Sequence, residues 1–247
     1  MAHPDLSLVV PTYNESGQLA ALVNQISISC AAHRLDAELI IVDDNSPDGT
    51  GQCADRLAAM SPTRVTVIHR AAKLGLGSAV REGFAAASGD VVGVMDADLS
   101  HPPDLVPMMY AALKSSGADV VVASRYVTGG GIVAWSAPRV LMSRLACWTA
   151  RPLTPVRDAM SGFFLMRRDL ALTANTSASG FKIGLELLVK TRPRSIVEVG
   201  YRYVGRRVGS SKLSVAEVFG YIRLLVGLYA FRRRGSRYWP RHQVLAR

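Results

Sequence analysis

Residues 91–103 of the chain read VVGVMDADLSHPP, an apolar run that ends in two aspartates and is closed by two prolines. A short apolar run bounded by turn residues is typical of a buried strand in a parallel sheet, and ligand sites in such sheets lie beyond the carboxyl ends of the strands. If strand geometry continues through Asp96 and Asp98, their side chains point the same way. Carboxylates that face one point favour a divalent cation with oxygen ligands, Mg²⁺ or Mn²⁺. The alternative is a pair of solvated loop aspartates, because a D-x-D pattern on its own is common.

The composition is that of one large α/β domain. The chain has 247 residues, of which 49% are hydrophobic, and this is enough to bury a sizeable core. The cysteines, Cys30, Cys53 and Cys147, are widely spaced, show no metal-binding pattern and indicate reduced thiols. Because the N-terminus lacks the charged and apolar regions of a signal peptide, we expect a cytoplasmic protein.

The net charge of +10 is concentrated at the C-terminus. Residues 1–200 hold 18 Lys/Arg and 18 Asp/Glu, whereas residues 201–247 hold 11 Lys/Arg and a single acid, Glu217. A basic end of this kind suits nucleic acid, an anionic membrane or a phosphorylated substrate. Nucleic acid is disfavoured, because the segment has few aromatic residues and the acidic strand ends would repel phosphate without a metal.

Strands and helices alternate five times in the first half of the chain. Apolar runs predict strands near positions 6–10, 38–42, 65–68, 91–95 and 119–123. Ser16 is a candidate N-cap for the helix that follows the first strand. This alternation predicts a doubly wound, mostly parallel sheet flanked by helices. Acids cluster after the second and fourth strands and Glu15 follows the first, so we expect a shared site at the carboxyl ends of the strands.

The second half of the chain is less regular. Its apolar patterns predict helices at 139–150 and 181–189 and strands at 163–166 and 196–199. Arg139 and Ser143 share one helix face. Lys182 and Glu186 have the same spacing, which is also that of a simple ion pair.

The C-terminal segment predicts an apolar helix over residues 215–231, interrupted by Glu217 and Arg223. It is too short and too charged to span a bilayer. Apolar side chains followed by three consecutive arginines resemble an amphipathic anchor at a membrane interface. The alternative is a core-packing helix with a disordered basic tail. We therefore divide the chain into a main domain, 1–213, and a C-terminal segment, 214–247.

Four motifs together resemble the inverting family 2 glycosyltransferases of the GT-A fold. They are residues 10–15 (VPTYNE), 42–48 (VDDNSPD), 96–103 (DADLSHPP) and 124–126 (SRY). Within this family the chain is most similar to dolichyl and polyprenyl phosphate mannose synthases, and residues 158–164, 181–183 and 206–213 extend the likeness. The resemblance implies a metal-dependent enzyme that transfers a sugar, with mannose from GDP-mannose as the leading expectation, onto a polyprenyl or dolichyl phosphate with inversion. It also implies that 1–213 is the catalytic domain, bound peripherally to the cytoplasmic face of a membrane.

The resemblance implies roles for individual residues. The positions that hold the base and ribose of the nucleotide are Pro11, Tyr13, Glu15, Val42 and Asp44. The diphosphate and metal site is matched by Asp96, Ala97 and Asp98, with Ser100 where the family often has a glutamine. Ser100 is a shorter oxygen ligand that would reach a metal through water. The residues that match the acceptor-phosphate positions are Arg125, Arg139 and Ser143, and Arg206 and Lys212 match donor-diphosphate positions. The candidate catalytic residues are Asp98, Arg125 and Arg206.

The acceptor class also follows from acid–base chemistry. A hydroxyl acceptor needs a general base, whereas a phosphate monoester has a second pKa of about 6 and is already a dianion near neutral pH. The sequence shows no unambiguous carboxylate base beyond the metal pair, which suits a phosphate acceptor. Two alternatives stay open: the same fold with a UDP-glucose or UDP-GlcNAc donor, or with a soluble small-molecule acceptor. An inactive scaffold is disfavoured because both carboxylates of the D-x-D motif are present.

Overall fold

The computed structural model describes residues 3–133, 135–174, 176, 182–205, 215–234 and 238–245. The strands in this part of the chain are β1 (Leu6–Thr12), β2 (Ala37–Asp43), β3 (Arg64–His69), β4 (Val91–Val94), β5 (Val120–Ser124), β6 (Gly131–Val133), β7 (Phe164–Arg167), β8 (Ser195–Gly200), β9 (Arg202–Val204) and β10 (Arg241–Leu245). The helices are α1 (Ser16–Ala32), α2 (Thr50–Met60), α3 (Leu76–Ala86), α4 (Leu105–Ser116), α5 (Ala137–Ala150), α6 (Arg168–Leu172), α7 (Ile183–Lys190) and α8 (Val215–Arg233).

Eight strands form one sheet in the order β10-β8-β5-β7-β4-β1-β2-β3, and β6 pairs with β9 in a small second sheet. Neighbours in the large sheet are parallel except where β7 pairs with β4 and β5. Leu8 and Val10 of β1 enter one core cluster, whereas Val9 enters another, so both faces of the sheet are covered. The predicted doubly wound, mostly parallel sheet flanked by helices is confirmed.

The antiparallel strand β7 determines which residues meet at the site. Because β7 runs against its neighbours, the segment before it enters the sheet at the edge where β4 and β5 end. Residues 158–163 therefore lie between the carboxyl ends of these two strands. A short apolar run predicts a strand here but contains no signal for its direction.

Three short strands and one short helix were not predicted: β6, β9, β10 and α6. Strands of three to five residues at the edge of a sheet contain little hydrophobic pattern, which is why the sequence does not reveal them. The strand β10 has the largest consequence. It lies in the segment predicted as a basic tail, yet it pairs with β8 and forms one edge of the main sheet.

The predicted C-terminal helix is present as α8, but its amphipathic character is not confirmed. On its inner side Leu228 is buried and Tyr221 packs against a core cluster that includes residues of α5 and α7. On its outer side Phe219, Ile222 and Val226 are exposed. Apolar side chains therefore occur on both sides of the helix.

None of the helices in the described ranges is both long enough and apolar enough to cross a membrane.

Candidate active site

The two aspartates of the D-x-D motif lie in a turn and not on a strand. The strand β4 ends at Val94, and residues 97 and 98 form a turn. The premise that Asp96 and Asp98 continue the strand alternation therefore does not hold. Their surroundings differ: the Asp96 side chain is 39% exposed, whereas Asp98 is buried. One carboxylate of the motif thus faces solvent and the other is held inside the turn.

Left-handed backbone occurs at the ends of three adjacent strands. Asn14 follows β1, Asn45 follows β2 and Leu99 follows the β4 turn, with φ angles of 61°, 59° and 57°. Asparagine tolerates this conformation, but for leucine it is unfavourable by about 1–2 kcal/mol. Strained backbone of this kind clusters at functional sites. Its occurrence at one edge of the sheet agrees with a site there.

Ser100 supplies an unsatisfied oxygen beside the aspartates. Its backbone N–H donates to Asp98 Oδ1 at 3.0 Å, while its hydroxyl is buried and has no hydrogen-bond partner among the described residues. Buried hydroxyls normally find a partner. Two carboxylates and one free hydroxyl fit a hard cation with oxygen ligands. The described residues contain no group of three or more His, Cys, Asp or Glu side chains that could hold a metal by themselves, so such a cation would need further oxygens from a ligand.

His101 supports the turn from inside the core. The Asp96 N–H donates to His101 Nδ1 at 3.2 Å, and the imidazole stacks on Phe163 with 5.0 Å between ring centroids. Burial lowers the pKa of His101 and outweighs the opposing charges of Asp96 and Asp98. The ring is therefore neutral at pH 7, with its proton on Nε2, and packing explains its position after the motif.

Tyr13 forms an exposed wall of the site next to β1. Its side chain is 37% exposed, and Lys73 Nζ lies 3.6 Å from the ring centroid. The loop after β3 thus reaches the residue after β1, a contact for which the sequence contains no motif.

The side chains of Val42 and Ala97 are buried in the core, so these side chains are not available to a nucleotide in this structure. Pro11 and Glu15 are half-buried.

Asp44 organises the loop that contains Lys73. Its carboxylate accepts hydrogen bonds from Arg70 Nη1 at 2.7 Å and from the N–H groups of Leu74 and Gly75 at 2.9 Å each. Gly75 has a φ of +92°, which favours glycine. The Arg70 and Asp44 side chains are both buried. Arg70 was not predicted, although a buried aspartate after a strand requires a cationic partner.

Two further acids of the 42–48 motif hold neighbouring loops together. Asp43 accepts a hydrogen bond from the Ser46 hydroxyl at 2.6 Å, and Asp48 accepts from the Ser16 N–H at 3.1 Å. Ser16 is the first residue of α1 and not its N-cap as predicted, because Glu15 occupies that position without a side-chain cap. Burial raises the pKa of Asp48, but hydrogen bonds from Thr50 and Ser16 outweigh it and lower the pKa to about 2. Asp48 is therefore ionised near the positive end of α1.

Arg125, after β5, forms a buried ion pair with Asp158. Its Nε and Nη2 atoms donate to the two carboxylate oxygens at 2.7 Å each, and its backbone N–H donates to Oδ2 at 2.9 Å. Asp158 is fully buried. Burial by itself would lower the pKa of Arg125, but the charge and hydrogen bonds of Asp158 outweigh it and raise that pKa. Arg125 is therefore a permanent cation fixed in one orientation.

Two aromatic rings bring Arg139 and Ser143 next to Arg125. The ring centroid of Trp135 lies 5.2 Å from Arg125 Cζ and 4.1 Å from Arg139 Cζ. Tyr126 lies 5.5 Å from Arg125 Cζ and donates its hydroxyl proton to Ser143 Oγ at 2.8 Å. The structure thus brings together the three residues predicted for the acceptor phosphate. Tyr126 belongs to the 124–126 motif, but no role is predicted for its ring, and Trp135 lies outside every motif. Aromatic residues in loops also serve ordinary packing, so the sequence does not single them out.

Lys182 is a further basic residue near this centre. Burial lowers its pKa, and the charge of Arg125 lowers it further, whereas Asp96 and Asp158 act in the opposite direction. Its proposed ion-pair partner Glu186 binds Lys190 at 2.7 Å.

The donor-diphosphate residues predicted from the resemblance, Arg206 and Lys212, lie outside the described residues.

A basic cleft of about 550 Å³ lies beside Arg125, between α5 and the segment 151–157. It is lined by Arg144, Arg151 and Arg157 as well as Arg125, and none of its lining residues in the described part of the chain is acidic.

A groove of about 480 Å³ between α5 and α8 shares Trp148 and Arg151 with the cleft. The remaining lining of this groove is mainly apolar: Pro152, Ile222, Leu225, Val226 and Tyr229. Such a surface suits an anionic group attached to an apolar chain.

Comparison with known proteins identifies a family for this site. Residues 7–172 match the model of glycosyl transferase family 2. The chain is 40% identical over 222 residues to a dolichol-phosphate mannosyltransferase from Pyrococcus furiosus, which covers 88% of this chain but only 62% of that relative. Enzymes of the same name from Mycosarcoma maydis and Saccharomyces cerevisiae are 39% and 37% identical, covering 93% and 92% of this chain and 80% and 88% of those relatives.

Solved structures show the same fold at lower identity. A mannosyltransferase from Pyrobaculum calidifontis, in complex with GDP-Man and Mn²⁺, superimposes with a TM-score of 0.68 at 19% identity, over 96% of this chain and 66% of that one. Glucosyl-3-phosphoglycerate synthase from Mycobacterium tuberculosis gives a TM-score of 0.64 at 23% identity, over 93% and 80%. The fold is thus the GT-A type that the motifs indicate. The chain belongs to glycosyl transferase family 2 and is a relative of its dolichol-phosphate mannosyltransferases.

Proposed function

We propose that this chain transfers mannose from GDP-mannose onto a dolichyl or polyprenyl phosphate, with inversion at the anomeric carbon. The observation that supports it most strongly is the arrangement around Arg125: a fixed guanidinium, with Arg139 and Ser143 brought close by Trp135 and Tyr126. This cationic frame suits a phosphate acceptor. The three relatives at 37–40% identity named dolichol-phosphate mannosyltransferase support the same substrate class.

The donor half of the site would lie over the ends of β4, β1 and β2. We assign the base and ribose to the neighbourhood of Tyr13, Glu15 and Asp44, with Pro11 and the backbone of Val42. The Lys73–Tyr13 contact and the loop held by Asp44 support this assignment. The diphosphate would lie at the turn of Asp96, Ala97 and Asp98, with Arg206 and Lys212 as further contacts. This placement puts the leaving group at the end of β4 and the acceptor at the end of β5.

The residues of this turn would suit a divalent cation, Mg²⁺ or Mn²⁺, that also binds the donor diphosphate. Asp96 and Asp98 would bind it. Ser100, whose hydroxyl has no hydrogen-bond partner within the described part of the chain, would contribute that oxygen directly or through water. When bound, the cation neutralises charge on the departing diphosphate as a Lewis acid. The protein contributes a turn whose geometry is set before substrate binds, through the Ser100–Asp98 hydrogen bond and the packing of His101.

The acceptor half needs no general base. Because a phosphate monoester is already largely ionised near neutral pH, its oxygen can attack without losing a proton to the enzyme. Arg125 would orient the attacking phosphate, since Asp158 prevents its guanidinium from rotating. Arg139 and the Ser143 hydroxyl would make the remaining contacts. Asp158 itself is fully buried and paired with Arg125, so it is poorly placed to accept a proton.

Transfer of labelled mannose from GDP-mannose to a short polyprenyl phosphate tests the proposal. We expect a lipid-linked product with Mg²⁺ or Mn²⁺ and none with EDTA, because the diphosphate leaves poorly without charge neutralisation. The corresponding polyprenol, which differs only in lacking the phosphate, is the matched control acceptor, and UDP-glucose and UDP-GlcNAc are the control donors. Equal transfer to the polyprenol would contradict a phosphate-specific acceptor site, and preference for a UDP-sugar would contradict the donor.

We also propose that α5 and α8 together form a membrane-docking face, which would hold the enzyme at the cytoplasmic surface of a membrane. The two helices are linked by hydrogen bonds from the Tyr221 and Tyr229 hydroxyls to backbone oxygens of α5, at 2.6 and 2.7 Å. Their exposed apolar side chains are Leu141, Met142, Leu145, Trp148, Val218, Phe219, Ile222 and Val226. Arginines at 144, 223 and 232–234 accompany them, which suits an anionic lipid surface.

A double variant, Leu141→Glu with Phe219→Glu, tests the docking face. It places one carboxylate on each helix, and we expect binding to vesicles of phosphatidylcholine and phosphatidylglycerol to fall at least about tenfold through lost apolar contact and charge repulsion. Sedimentation with the vesicles measures it. Met60→Glu is the matched control, because Met60 is an exposed apolar residue on α2, outside this face. Binding of the double variant equal to that of Met60→Glu would rule the face out. Deletion of 214–247 is less suitable, because it also removes β10.

A further inference from the structure

Two buried carboxylates, Asp158 and Glu198, connect Arg125 to the last strand of the sheet through consecutive hydrogen bonds. We refer to these contacts as the series. Asp158 binds the Arg125 guanidinium, and Glu198 of β8 accepts hydrogen bonds from the N–H groups of Asp158 at 3.1 Å and Arg157 at 2.8 Å. Both carboxylates are fully buried. Glu198 therefore fixes the backbone from which the Asp158 side chain projects. In turn, the Asp158 carboxylate fixes both the backbone N–H and the guanidinium of Arg125.

The series ends on the C-terminal strand. His242 Nε2 lies 2.7 Å from Glu198 Oε2. In the parallel pairing of β10 with β8, His242 is opposite Ile196, so the side chain of Glu198, two residues further along, projects from the same face of the sheet. The described contacts thus run from His242 through Glu198 and the 157–158 backbone to Asp158 and Arg125.

Loss of the last contact would disturb the whole series. A buried carboxylate is stable only when hydrogen bonds or charges replace its hydration. In this structure Glu198 has two backbone donors and the His242 imidazole. Without the imidazole, movement of the carboxylate toward water at the edge of the sheet would lower its free energy. Movement of Glu198 releases the 157–158 backbone, and with it the orientation of Asp158 and of Arg125.

We propose that Glu198 and His242 are positioning residues for Arg125, and that the C-terminal strand is therefore part of the acceptor half of the active site. The proposal rests on the proposed function insofar as Arg125 binds the acceptor phosphate. Because β10 follows α8 in the chain, the C-terminal segment would contribute a helix to the docking face and a strand to the contacts behind Arg125.

The test compares His242→Ala, His242→Gln and Gln243→Ala. We expect His242→Ala to lower kcat/KM for polyprenyl phosphate about tenfold, the order expected for a lost charge-assisted hydrogen bond. The Kd for GDP in the presence of Mn²⁺ should change less than about twofold, because the donor half lies on β1, β2 and β4. In His242→Gln the side-chain amide replaces Nε2 as a donor, so most of the activity should return. Gln243→Ala, an exposed residue of the same strand, is the matched control.

Amide hydrogen exchange provides a readout that does not depend on the substrate. We expect His242→Ala to lose protection at the N–H groups of Arg125, Arg157 and Asp158, with β1 and β2 unchanged. Unchanged exchange at these three amides would overturn the proposal, as would equal losses of acceptor and GDP binding. If exchange changes as expected but the wild-type protein transfers nothing to polyprenyl phosphate, the proposed function is wrong. The conclusion that Glu198 and His242 position Arg125 is still supported.

Discussion

Replacement of Asp98 by asparagine is expected to reduce metal-dependent mannosyl transfer by about a thousandfold and to leave the fold intact. Asp98 is buried, and its Oδ1 accepts the Ser100 N–H, a hydrogen bond that an asparagine oxygen can also accept. The variant therefore removes the negative charge and keeps the shape of the turn. Loss of one preorganised group that stabilises charge in the transition state typically costs about 10²–10³ in rate. Initial rates at saturating GDP-mannose, with Mg²⁺ or Mn²⁺, measure the effect.

Asp90→Asn is the matched control for this prediction. Asp90 is exposed and directly precedes β4, at the opposite end of the strand from Asp98, so the same change of charge occurs away from the site. Ser100→Ala should have a smaller effect, about tenfold, because it removes one neutral oxygen and no charge. A transfer rate and metal dependence in Asp98→Asn equal to those of Asp90→Asn would contradict the assignment of the metal site.

The part of the site around the D-x-D motif can be predicted from the sequence, because it is formed by residues that are neighbours in the chain. An apolar run followed by turn residues is a local pattern, and the carboxylates lie within it. The geometry of the turn is not local. Leu99 adopts a left-handed backbone in a turn supported by the packing of His101 against Phe163, more than 60 positions along the chain. The local pattern therefore identifies the aspartates, but it predicts a strand that continues through them, whereas β4 ends at Val94.

The acceptor side depends on contacts between distant segments. Arg125 and Asp158 are 33 positions apart, and Glu198 and His242 are 44 apart. Each pair exists because of strand order: β7 inserts antiparallel between β4 and β5, and β10 adds to β8. Hydrophobic periodicity predicts that a strand exists, but it contains no information on which strands become neighbours. The arginine is predicted through the family motif. For Asp158 the sequence allows two roles, to orient an arginine or to cap a turn, and it does not indicate which arginine; the structure pairs it with Arg125.

For the helix α8, periodicity alone does not decide between a membrane-facing helix and a core-packing one. An amphipathic helix has one apolar face, which the protein core or a membrane covers. In α8, Leu228 packs into the core while Phe219 and Val226 project outward, 68% and 64% exposed. Both the core-packing alternative and the membrane-facing expectation describe part of this helix. The two surfaces that it needs, α5 with α7 and a proposed membrane, are not encoded in its own residues.

Replacement of Arg125 by methionine is expected to lower stability and to abolish acceptor use, and a second substitution separates the two effects. Alone, Arg125→Met leaves Asp158 as an uncompensated buried charge, which typically costs roughly 3–5 kcal/mol. With Asp158→Asn added, neither residue of the pair is charged, and the asparagine oxygen can still accept the N–H of residue 125. We therefore expect most of the stability to return. Thermal unfolding measures this recovery.

Activity should not recover in the same double variant. Without a guanidinium at position 125, transfer to polyprenyl phosphate should remain at least about 100-fold below wild type, while GDP binding with Mn²⁺ stays within about twofold. Arg167→Met is the matched control, because the Arg167 side chain is 53% exposed and its pair with Asp169 lies on the surface, where loss of an ion pair costs at most about 1 kcal/mol. Its longer contact, 3.4 Å to Asp119, can be lost without leaving that carboxylate bare, because Asp119 also accepts the N–H groups of Arg194 and Ser195. If the Arg125→Met/Asp158→Asn protein regains both stability and transfer, Arg125 is a structural residue and the acceptor phosphate binds elsewhere. If it regains stability alone, the buried pair serves catalysis, because a neutral pair at these positions would satisfy the fold equally well.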